Sequence, residues 1–176
     1  MPTSARENYW DVRKFVSSTP GIDTVFDVGA GEGTYWEFLH DLVQAIDAIE
    51  IHSRNIEEFG LREKYRTVWH ADVRYFPFGD FDLVIFGDVL EHMTVDDAVR
   101  VFATALTHSR FVLVSVPIVH YPQDPAGVGH GDNEHERHLI EDAHEDLLPR
   151  LAEVSAPIES WDYRITGTRV YRGSLS

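Results

Sequence analysis

Residues 25–33, VFDVGAGEG, decide the fold that we expect for this chain. The apolar run Thr24–Gly29 predicts a buried strand, and the residues after it are rich in glycine. These glycines stand at alternate positions, Gly29, Gly31 and Gly33. Glycine allows the backbone to turn with positive φ and lets a ligand come close to the main chain. Apolar residues at helical spacing follow over Thr34–Val43, so the stretch predicts a strand, a ligand-accessible turn and a helix.

Short apolar runs alternate with segments of helical periodicity on both sides of this stretch, which predicts an α/β fold with a mostly parallel sheet. The predicted strands are Thr24–Gly29, Ala45–Ile51, Arg66–His70, Phe81–Phe86, Arg110–Val116, Pro157–Tyr163 and Thr166–Arg172. The predicted helices are Thr34–Val43, Ser53–Tyr65 with Ser53 as its N-cap, Val95–Leu106 after Thr94, and Glu141–Leu151. The segment from Pro117 to about Ile140 has no clean period and predicts a long loop.

An acid follows the glycine turn at a spacing that suits a nucleotide-like ligand. Glu50 ends the second predicted strand, seventeen residues after Gly33. An acid at this strand end can bind the two hydroxyls of a ribose. Asp47 is the alternative acid, although it lies earlier in the strand. The dinucleotide pattern G-x-G-x-x-G is not completed, because Thr34 occupies its last position.

These motifs resemble the class I S-adenosylmethionine-dependent methyltransferases, whose glycine turn has the pattern hh[DE]hGxGxG. Val25–Gly33 matches that pattern residue for residue, and Glu50 matches the family's ribose-binding acid. Ala71–Val73 falls where the family has an acid that contacts the adenine amino group, and Phe81–His92 resembles its fourth strand and the residues that follow. The resemblance covers roughly Thr24 to Val116.

The resemblance implies one Rossmann-like α/β domain with a seven-stranded, mostly parallel sheet, an antiparallel last strand and helices on both faces. It also implies S-adenosylmethionine as cofactor, with the methionine part at the glycine turn and the methyl group beside Asp88. The cofactor-binding residues that it implies are Asp27, Gly29, Gly31, Gly33, Glu50, Ile51, Asp72, Val73 and Asp88. Within this single domain, 1–176, we expect an N-terminal cap or helix over 1–23, the cofactor-binding core over 24–116, a histidine-rich acceptor loop over 117–144, and a closing helix and strands over 145–176.

Histidines are concentrated near the expected acceptor side of the sheet. Six of the ten are His92, His120, His130, His135, His138 and His144. A histidine near neutral pKa suits the deprotonation of a hydroxyl, so this excess favours an oxygen acceptor such as a sugar hydroxyl. The run Asn133–Leu139, after Val116-Pro117 and Tyr121–Gln123, resembles a subset of small methyltransferases with a histidine at the position of His138. We therefore rank the candidate catalytic bases as His138, then His92, then His144.

A metal ion is compatible with these histidines but is not expected, and we predict no metal ligand. His135–His138 is one residue short of the zincin motif H-E-x-x-H. Two other sets offer possible ligands: His130 with Asp132, His135 and His138, and Asp88 with His92 and His138. Some O-methyltransferases use a divalent ion to acidify a hydroxyl, which keeps this alternative open.

The amino-acid composition limits the classes of partner and of site that we expect. Acids outnumber Lys and Arg by 30 to 15, so the formal charge is −15 and we expect neither nucleic acid nor an anionic membrane as partner. The absence of cysteine excludes disulfides, thiolate zinc sites and a cysteine nucleophile. Met1–Trp10 has no apolar signal core, and a cytoplasmic protein is expected. We expect a small-molecule acceptor, and a homodimer is compatible with the short chain.

Three alternatives to an O-methyltransferase stay open from the sequence. The first is an N-methyltransferase of an amine or a basic protein segment, which the acidic composition would suit. The second is a non-catalytic module with this fold, whose histidine-rich loop would be an interface. The third, a nicotinamide enzyme, is disfavoured by Thr34.

Overall fold

The computed structural model describes residues 6–119 and 137–176. Its strands are β1 (Thr24–Val28), β2 (Ala45–Glu50), β3 (Thr67–His70), β4 (Phe81–Gly87), β5 (Ser109–Pro117), β6 (Pro157–Asp162) and β7 (Thr166–Arg172). Its α-helices are α1 (Tyr9–Ser18), α2 (Thr34–Leu39), α3 (Ser53–Glu58), α4 (Leu61–Lys64), α5 (Val95–Thr107), α6 (Ala143–Asp146) and α7 (Leu148–Val154). Two short 3₁₀ helices span Val73–Tyr75 and Leu90–His92.

The strands form one seven-stranded sheet in the order β3-β2-β1-β4-β5-β7-β6. The pairings from β3 to β5 are parallel, whereas β7 is antiparallel to both β5 and β6. The predicted fold class, with its antiparallel last strand, is confirmed. Because β1 pairs with β2 on one side and with β4 on the other, the chain changes direction across the sheet at β1. Ligands of open α/β sheets bind beyond the carboxyl ends of the strands at such a switch point.

The strands bury both faces, which explains their nearly continuous apolar sequences. In β4, Leu83 and Ile85 enter one apolar cluster, while Val84 and Phe86 enter the other. The first cluster also contains residues of α1 to α4, and the second contains residues of α5 to α7. Helices therefore cover both faces, as expected from the sequence.

Three predicted helices were wrong in extent. The helix expected over Thr34–Val43 ends at Leu39. The helix expected over Ser53–Tyr65 is two helices, α3 and α4, because Gly60 between them has a φ of 59°. His52 rather than Ser53 occupies the N-cap position of α3. The helix expected over Glu141–Leu151 is also divided, into α6 and α7. Pro149 lacks the N–H that a continuous helix would bond to the carbonyl group of Glu145.

The loop histidines His120, His130 and His135, together with Asp132, lie outside the described residues. So do most of the long loop expected from Pro117 to about Ile140 and residues 1–5 of the chain. Within the ranges 6–119 and 137–176, no helix has the length and apolar character that crossing a membrane requires.

Candidate active site

The glycine turn after β1 has the backbone conformation that the sequence predicted. Gly29, Gly31 and Gly33 have φ values of 69°, 53° and 89°. The turn is tied to β2, because the Gly29 N–H donates to the carbonyl oxygen of Ile49 at 2.8 Å. A β-carbon at Gly29 would come within 2.6 Å of Val89 Cγ2, on the loop after β4. The turn therefore lies directly against the segment that follows β4, and a side chain at Gly29 would force the two apart.

Glu50 connects the end of β2 to this turn. Its carboxylate is buried and accepts the N–H of Gly31 at 2.9 Å and the N–H of His52 at 2.8 Å. A carboxylate can accept about four hydrogen bonds, so these two backbone bonds orient the group and leave acceptor capacity for ligand hydroxyls. The acid predicted for the ribose is thus held at the glycine turn.

Asp47, the alternative acid, has a different environment. It lies inside β2, opposite Phe26 of β1 and Thr67 of β3. Its carboxylate accepts the Nε–H of Arg66 at 2.9 Å and a second, shorter bond from the Arg66 Nη2. A carboxylate held by both nitrogens of a guanidinium has a structural partner already, and Glu50 is the better placed of the two acids.

Asp27 lies beneath the turn and is almost fully buried. It accepts a hydrogen bond from the Tyr65 hydroxyl at 2.5 Å. Burial raises the pKa of Asp27 to about 7, and the nearby charge of Glu50 acts in the same direction, while the Tyr65 bond opposes the rise. Asp27 therefore supports the turn from below and titrates near neutrality.

The residues after β2 and β3 lie at the same edge of the sheet. Asp72 is half-buried and caps the 3₁₀ helix Val73–Tyr75 by accepting the N–H of Arg74 at 2.9 Å. The Arg74 guanidinium also bonds both oxygens of Asp72, so an adenine amino group would share this carboxylate with Arg74. The carbonyl oxygen of Ile51 lies 3.0 Å from His70 Nε2.

Asp88, immediately after β4, has a strained backbone. Its φ of 54° makes it the one non-glycine residue with positive φ among the described residues. The Asp88 N–H donates to the carbonyl oxygen of Ser115 at 2.9 Å, which holds the strained turn to β5. Strained residues cost of order 1–3 kcal/mol and concentrate at binding and active sites.

The 3₁₀ helix after Asp88 brings two of the predicted histidines together. The ring centroids of His92 and His138 are 4.7 Å apart with an interplanar angle of 87°. The chain after His138 is fixed to this helix, because the N–H groups of Leu139 and Ile140 both donate to the carbonyl oxygen of Glu91, at 2.8 and 3.0 Å. The first two predicted catalytic histidines thus form one cluster from distant parts of the sequence.

His144, the third predicted catalytic histidine, is exposed on α6. It does not belong to the cluster of potential ligands that Glu91, His92 and His138 form among the described residues.

Glu91 is the member of this cluster that the sequence analysis missed. Its side chain is fully buried, and neither carboxylate oxygen has a hydrogen-bond partner among the described residues. Burial raises the pKa of Glu91 well above its ordinary range, and the charge of Asp88 adds to the rise. The signal available in the sequence was the position of Glu91, directly before His92 and three residues after Asp88 in the segment that follows β4.

A buried polar network supports the site from the N-terminal side. The Asn8 amide nitrogen donates to the hydroxyls of Tyr35 and Thr168, at 3.1 Å each. The Tyr35 ring in turn packs so closely on Gly87 that a β-carbon there would overlap it. The segment before α1 is thereby connected to α2, to β7 and to the end of β4.

An open, acidic groove of about 690 Å³ begins next to His138. Its charged lining residues are Asp96, Glu141, Asp142, Glu145, Asp146 and Arg150. Five acids against one base give this groove a negative potential that suits a cationic ligand.

Comparison with known proteins agrees with this geometry. Residues 26–110 match the family described as a methyltransferase domain. No curated protein sequence matches the chain significantly.

Solved structures with low sequence identity share the fold. The N-terminal domain of EvdMO1 with S-adenosylhomocysteine bound is 16% identical, covers 97% of this chain and 83% of its own, and has a TM-score of 0.66. The N-methyltransferase NodS from Bradyrhizobium japonicum WM9, bound to S-adenosyl-L-homocysteine, is 13% identical over 97% of this chain and 87% of its own, with a TM-score of 0.70. Magnesium protoporphyrin IX methyltransferase from Synechocystis PCC 6803 is 15% identical over 96% of this chain and 83% of its own, with a TM-score of 0.68. The chain thus has a matched methyltransferase domain and shares its fold with solved methyltransferases that bind S-adenosylmethionine or its demethylated product.

Proposed function

We propose that this chain binds S-adenosylmethionine beyond the carboxyl ends of β1, β2 and β4 and transfers its methyl group to a hydroxyl oxygen of a small molecule such as a sugar. The observation that carries the oxygen acceptor is the contact between His92 and His138 beside the strained Asp88 turn. Two solved structures of similar fold support this acceptor class. They are a mitomycin 7-O-methyltransferase and the EvdMO1 domain crystallised in the presence of D-fucose.

The cofactor would extend across the switch point of the sheet. The glycine turn admits the methionine part, and the two oxygens of Glu50 accept the ribose hydroxyls. Ile51, Asp72 and Val73 border the adenine, while Asp88 lies next to the transferred methyl group. Glu50 and Asp88 also bring carboxyl groups to the site, and these would attract the positively charged sulfonium cofactor.

The reaction is an in-line displacement at the methyl carbon. The acceptor oxygen forms a bond to the methyl carbon, and the carbon–sulfur bond breaks with its electron pair left on sulfur. The hydroxyl proton passes to a neutral imidazole, His138 or His92. Alignment of oxygen, carbon and sulfur can contribute about 7–11 kcal/mol in favourable cases, and a positioned base contributes about 10²- to 10⁴-fold.

Methyl transfer from labelled S-adenosylmethionine to a panel of hydroxylated small molecules tests this proposal. His138→Asn should lower kcat by at least about 100-fold and leave the Kd for S-adenosylmethionine unchanged. His144→Asn is the matched control, since His144 is close in sequence but exposed on α6. A full rate in His138→Asn, or an equal loss in both variants, would contradict the role of the histidine pair.

An amine acceptor is the second candidate, and the acidic groove beside His138 favours it. A cationic amine or basic peptide would be attracted to this groove, and NodS, of similar fold, is an N-methyltransferase. The cationic amine loses its proton to solvent water before it reacts, and the free amine then has its nucleophilic lone pair without a base in the site. Methylation of an amine that is nearly insensitive to His138→Asn would therefore select this candidate over the hydroxyl acceptor.

A further inference from the structure

We propose that Glu91, His92 and His138 bind a divalent transition-metal cation of the zinc class. The chemical role of this cation in methyl transfer rests on the proposed function, whereas its binding does not. The proposal adds a ligand site to the acceptor side of the sheet and gives Glu91 a function.

The cluster has the composition and size of a metal site. Each of the three residues offers one ligand atom, and these atoms all lie within 4.8 Å of one another. Zinc bonds of about 2.0–2.1 Å in tetrahedral geometry place ligand atoms about 3.3–3.4 Å apart around the ion. Side-chain rotations that bring the ligand atoms closer by up to about 1.5 Å would complete the site. Two imidazoles and one glutamate also form the protein ligand set of catalytic zinc sites that keep a coordination position open.

The burial of Glu91 is the second, independent observation. A carboxyl group that is fully buried with both oxygens unpartnered among residues 6–119 and 137–176 is costly for a fold to maintain. A bound cation supplies the missing partner. Leu90 and Met93, on either side of the Glu91–His92 pair, are buried in the core, so the carboxyl group is held in place by the packing of its neighbours.

The backbone assembles the site before any ion arrives. His138 comes from a segment far from Glu91 in sequence, yet the Leu139 and Ile140 N–H groups bond the Glu91 carbonyl oxygen. This pair of bonds fixes His138 next to the 3₁₀ helix that carries the other two ligands. Preorganised ligands lose less conformational entropy on binding, which raises affinity.

The ligand types determine which cations fit. Imidazole nitrogens suit zinc, copper, iron and nickel, while magnesium, calcium and manganese prefer oxygen ligands. The carboxyl group of Asp88 is close enough to Glu91 to raise its pKa, and it adds negative potential for a cation. We therefore expect Zn²⁺ and Co²⁺ to bind more tightly than Mg²⁺.

The cation would change how the acceptor loses its proton. An acceptor hydroxyl at the open coordination position becomes more acidic, and its proton passes to water at the half-exposed imidazoles. The resulting alkoxide oxygen bonds to the methyl carbon, and the electron pair of the broken carbon–sulfur bond stays on sulfur. In the loaded protein the cation would replace the histidine base of the proposed function, and His92 and His138 would be its ligands.

Metal binding can be measured directly on the full chain after treatment with a chelator and its removal. We expect calorimetry with Zn²⁺ to give one tight site per chain, and Co²⁺ to produce the absorption bands of a nitrogen- and oxygen-ligated ion. Glu91→Gln and His138→Asn should each weaken this site at least about 100-fold, and His144→Asn should leave it unchanged. Equal Zn²⁺ affinity in the wild type and in Glu91→Gln would overturn the proposal.

The folding of Glu91→Gln is checked by thermal denaturation with and without Zn²⁺. Glu91→Gln removes a buried ionisable group without changing its size, so we expect the variant to be folded and at least as stable as the metal-free wild type. Zn²⁺ should raise the Tm of the wild type and not that of Glu91→Gln. A Zn²⁺-induced rise of the same size in both proteins would contradict the site.

The two proposals fail in different experiments. Calorimetry with S-adenosylmethionine and with Zn²⁺ tests each ligand separately, so loss of either binding event refutes only the corresponding proposal. Methyl transfer to a hydroxyl that persists at full rate in the chelated protein, with cofactor binding intact, would overturn the role of the cation in the reaction and support a histidine base. Loss of transfer on chelation and its return with Zn²⁺ or Co²⁺ would support that role.

Discussion

The buried carboxyl group of Asp27 predicts a specific dependence of stability on pH. Its pKa is about 7 in the folded protein against 3.8 for the free group. The gap of about three units corresponds to about 4 kcal/mol at about 1.36 kcal/mol per unit. Since the folded protein binds this proton more tightly, the protonated group adds stability that is complete below pH 3.8 and is lost as the pH rises through about 7.

Asp27→Asn isolates this contribution because the amide does not titrate and can still accept the Tyr65 hydroxyl bond. The free energy of unfolding of the variant, minus that of the wild type, should therefore rise by about 4 kcal/mol between about pH 4 and pH 8. Urea denaturation of both proteins over this range measures the difference, in which the other titrating groups cancel. Tyr65→Phe is the companion variant, and it should move the wild-type decline to higher pH because the Tyr65 bond lowers the pKa of Asp27. A difference that stays constant with pH would refute the reasoning.

Three further predictions concern the supports of the site. Gly29→Ala should lower the free energy of unfolding by about 2–4 kcal/mol in urea denaturation, because its β-carbon meets Val89 and its φ is positive. An unchanged midpoint would contradict the close approach of Gly29 to Val89. Asp72→Ala should weaken S-adenosylmethionine binding about 10-fold in calorimetry, because about one hydrogen bond is lost. Arg74→Ala should leave this binding nearly unchanged. A larger loss in Arg74→Ala than in Asp72→Ala would show that the arginine binds the cofactor. Asn8→Ala should lower the free energy of unfolding by about 2–3 kcal/mol, because it removes a fully buried donor from two hydroxyl acceptors. A loss below about 0.5 kcal/mol in thermal or urea denaturation would show that these hydrogen bonds do not stabilise the fold.

The strands were predictable because their burial leaves a local record in the sequence. β4 is a run of apolar residues interrupted only by Asp82, and its observed span of Phe81–Gly87 differs from the prediction by one residue. α5 was equally clear, since Thr94 caps it by accepting the N–H of Asp97 at 3.2 Å. In these elements the local pattern and the tertiary packing agree.

The segments Ser53–Tyr65 and Glu141–Leu151 were each predicted as one continuous helix, and both predictions were wrong for a common reason. Helical periodicity continues through Gly60 and Pro149, so the pattern alone does not report the interruption. The positive φ of Gly60 and the missing N–H of Pro149 are single-residue effects that outweigh the periodicity of their neighbours.

The candidate site was predictable where it depends on strand ends, and not where it depends on distant packing. The contact between Glu50 and the glycine turn follows from the adjacency of β1 and β2. The burial of Glu91 does not, because it arises when the segment after His138 bonds to the 3₁₀ helix. An acid in a helical segment is usually exposed, so only the tertiary structure distinguishes Glu91 from a surface residue.

The central claim is that Glu50 and the glycine turn form the binding site for S-adenosylmethionine. Calorimetric titration of the purified chain with this cofactor and with its demethylated product tests it most directly, with Glu50→Gln and Asp47→Asn measured in parallel. We predict that the wild type binds S-adenosylmethionine with micromolar affinity, about −8 kcal/mol. Glu50→Gln should weaken this binding by about 2–4 kcal/mol, because two charge-assisted hydrogen bonds are lost. Asp47→Asn should change the binding free energy by no more than about 0.5 kcal/mol. No binding of either ligand to the wild type, or binding that depends on Asp47 and not on Glu50, would contradict the account.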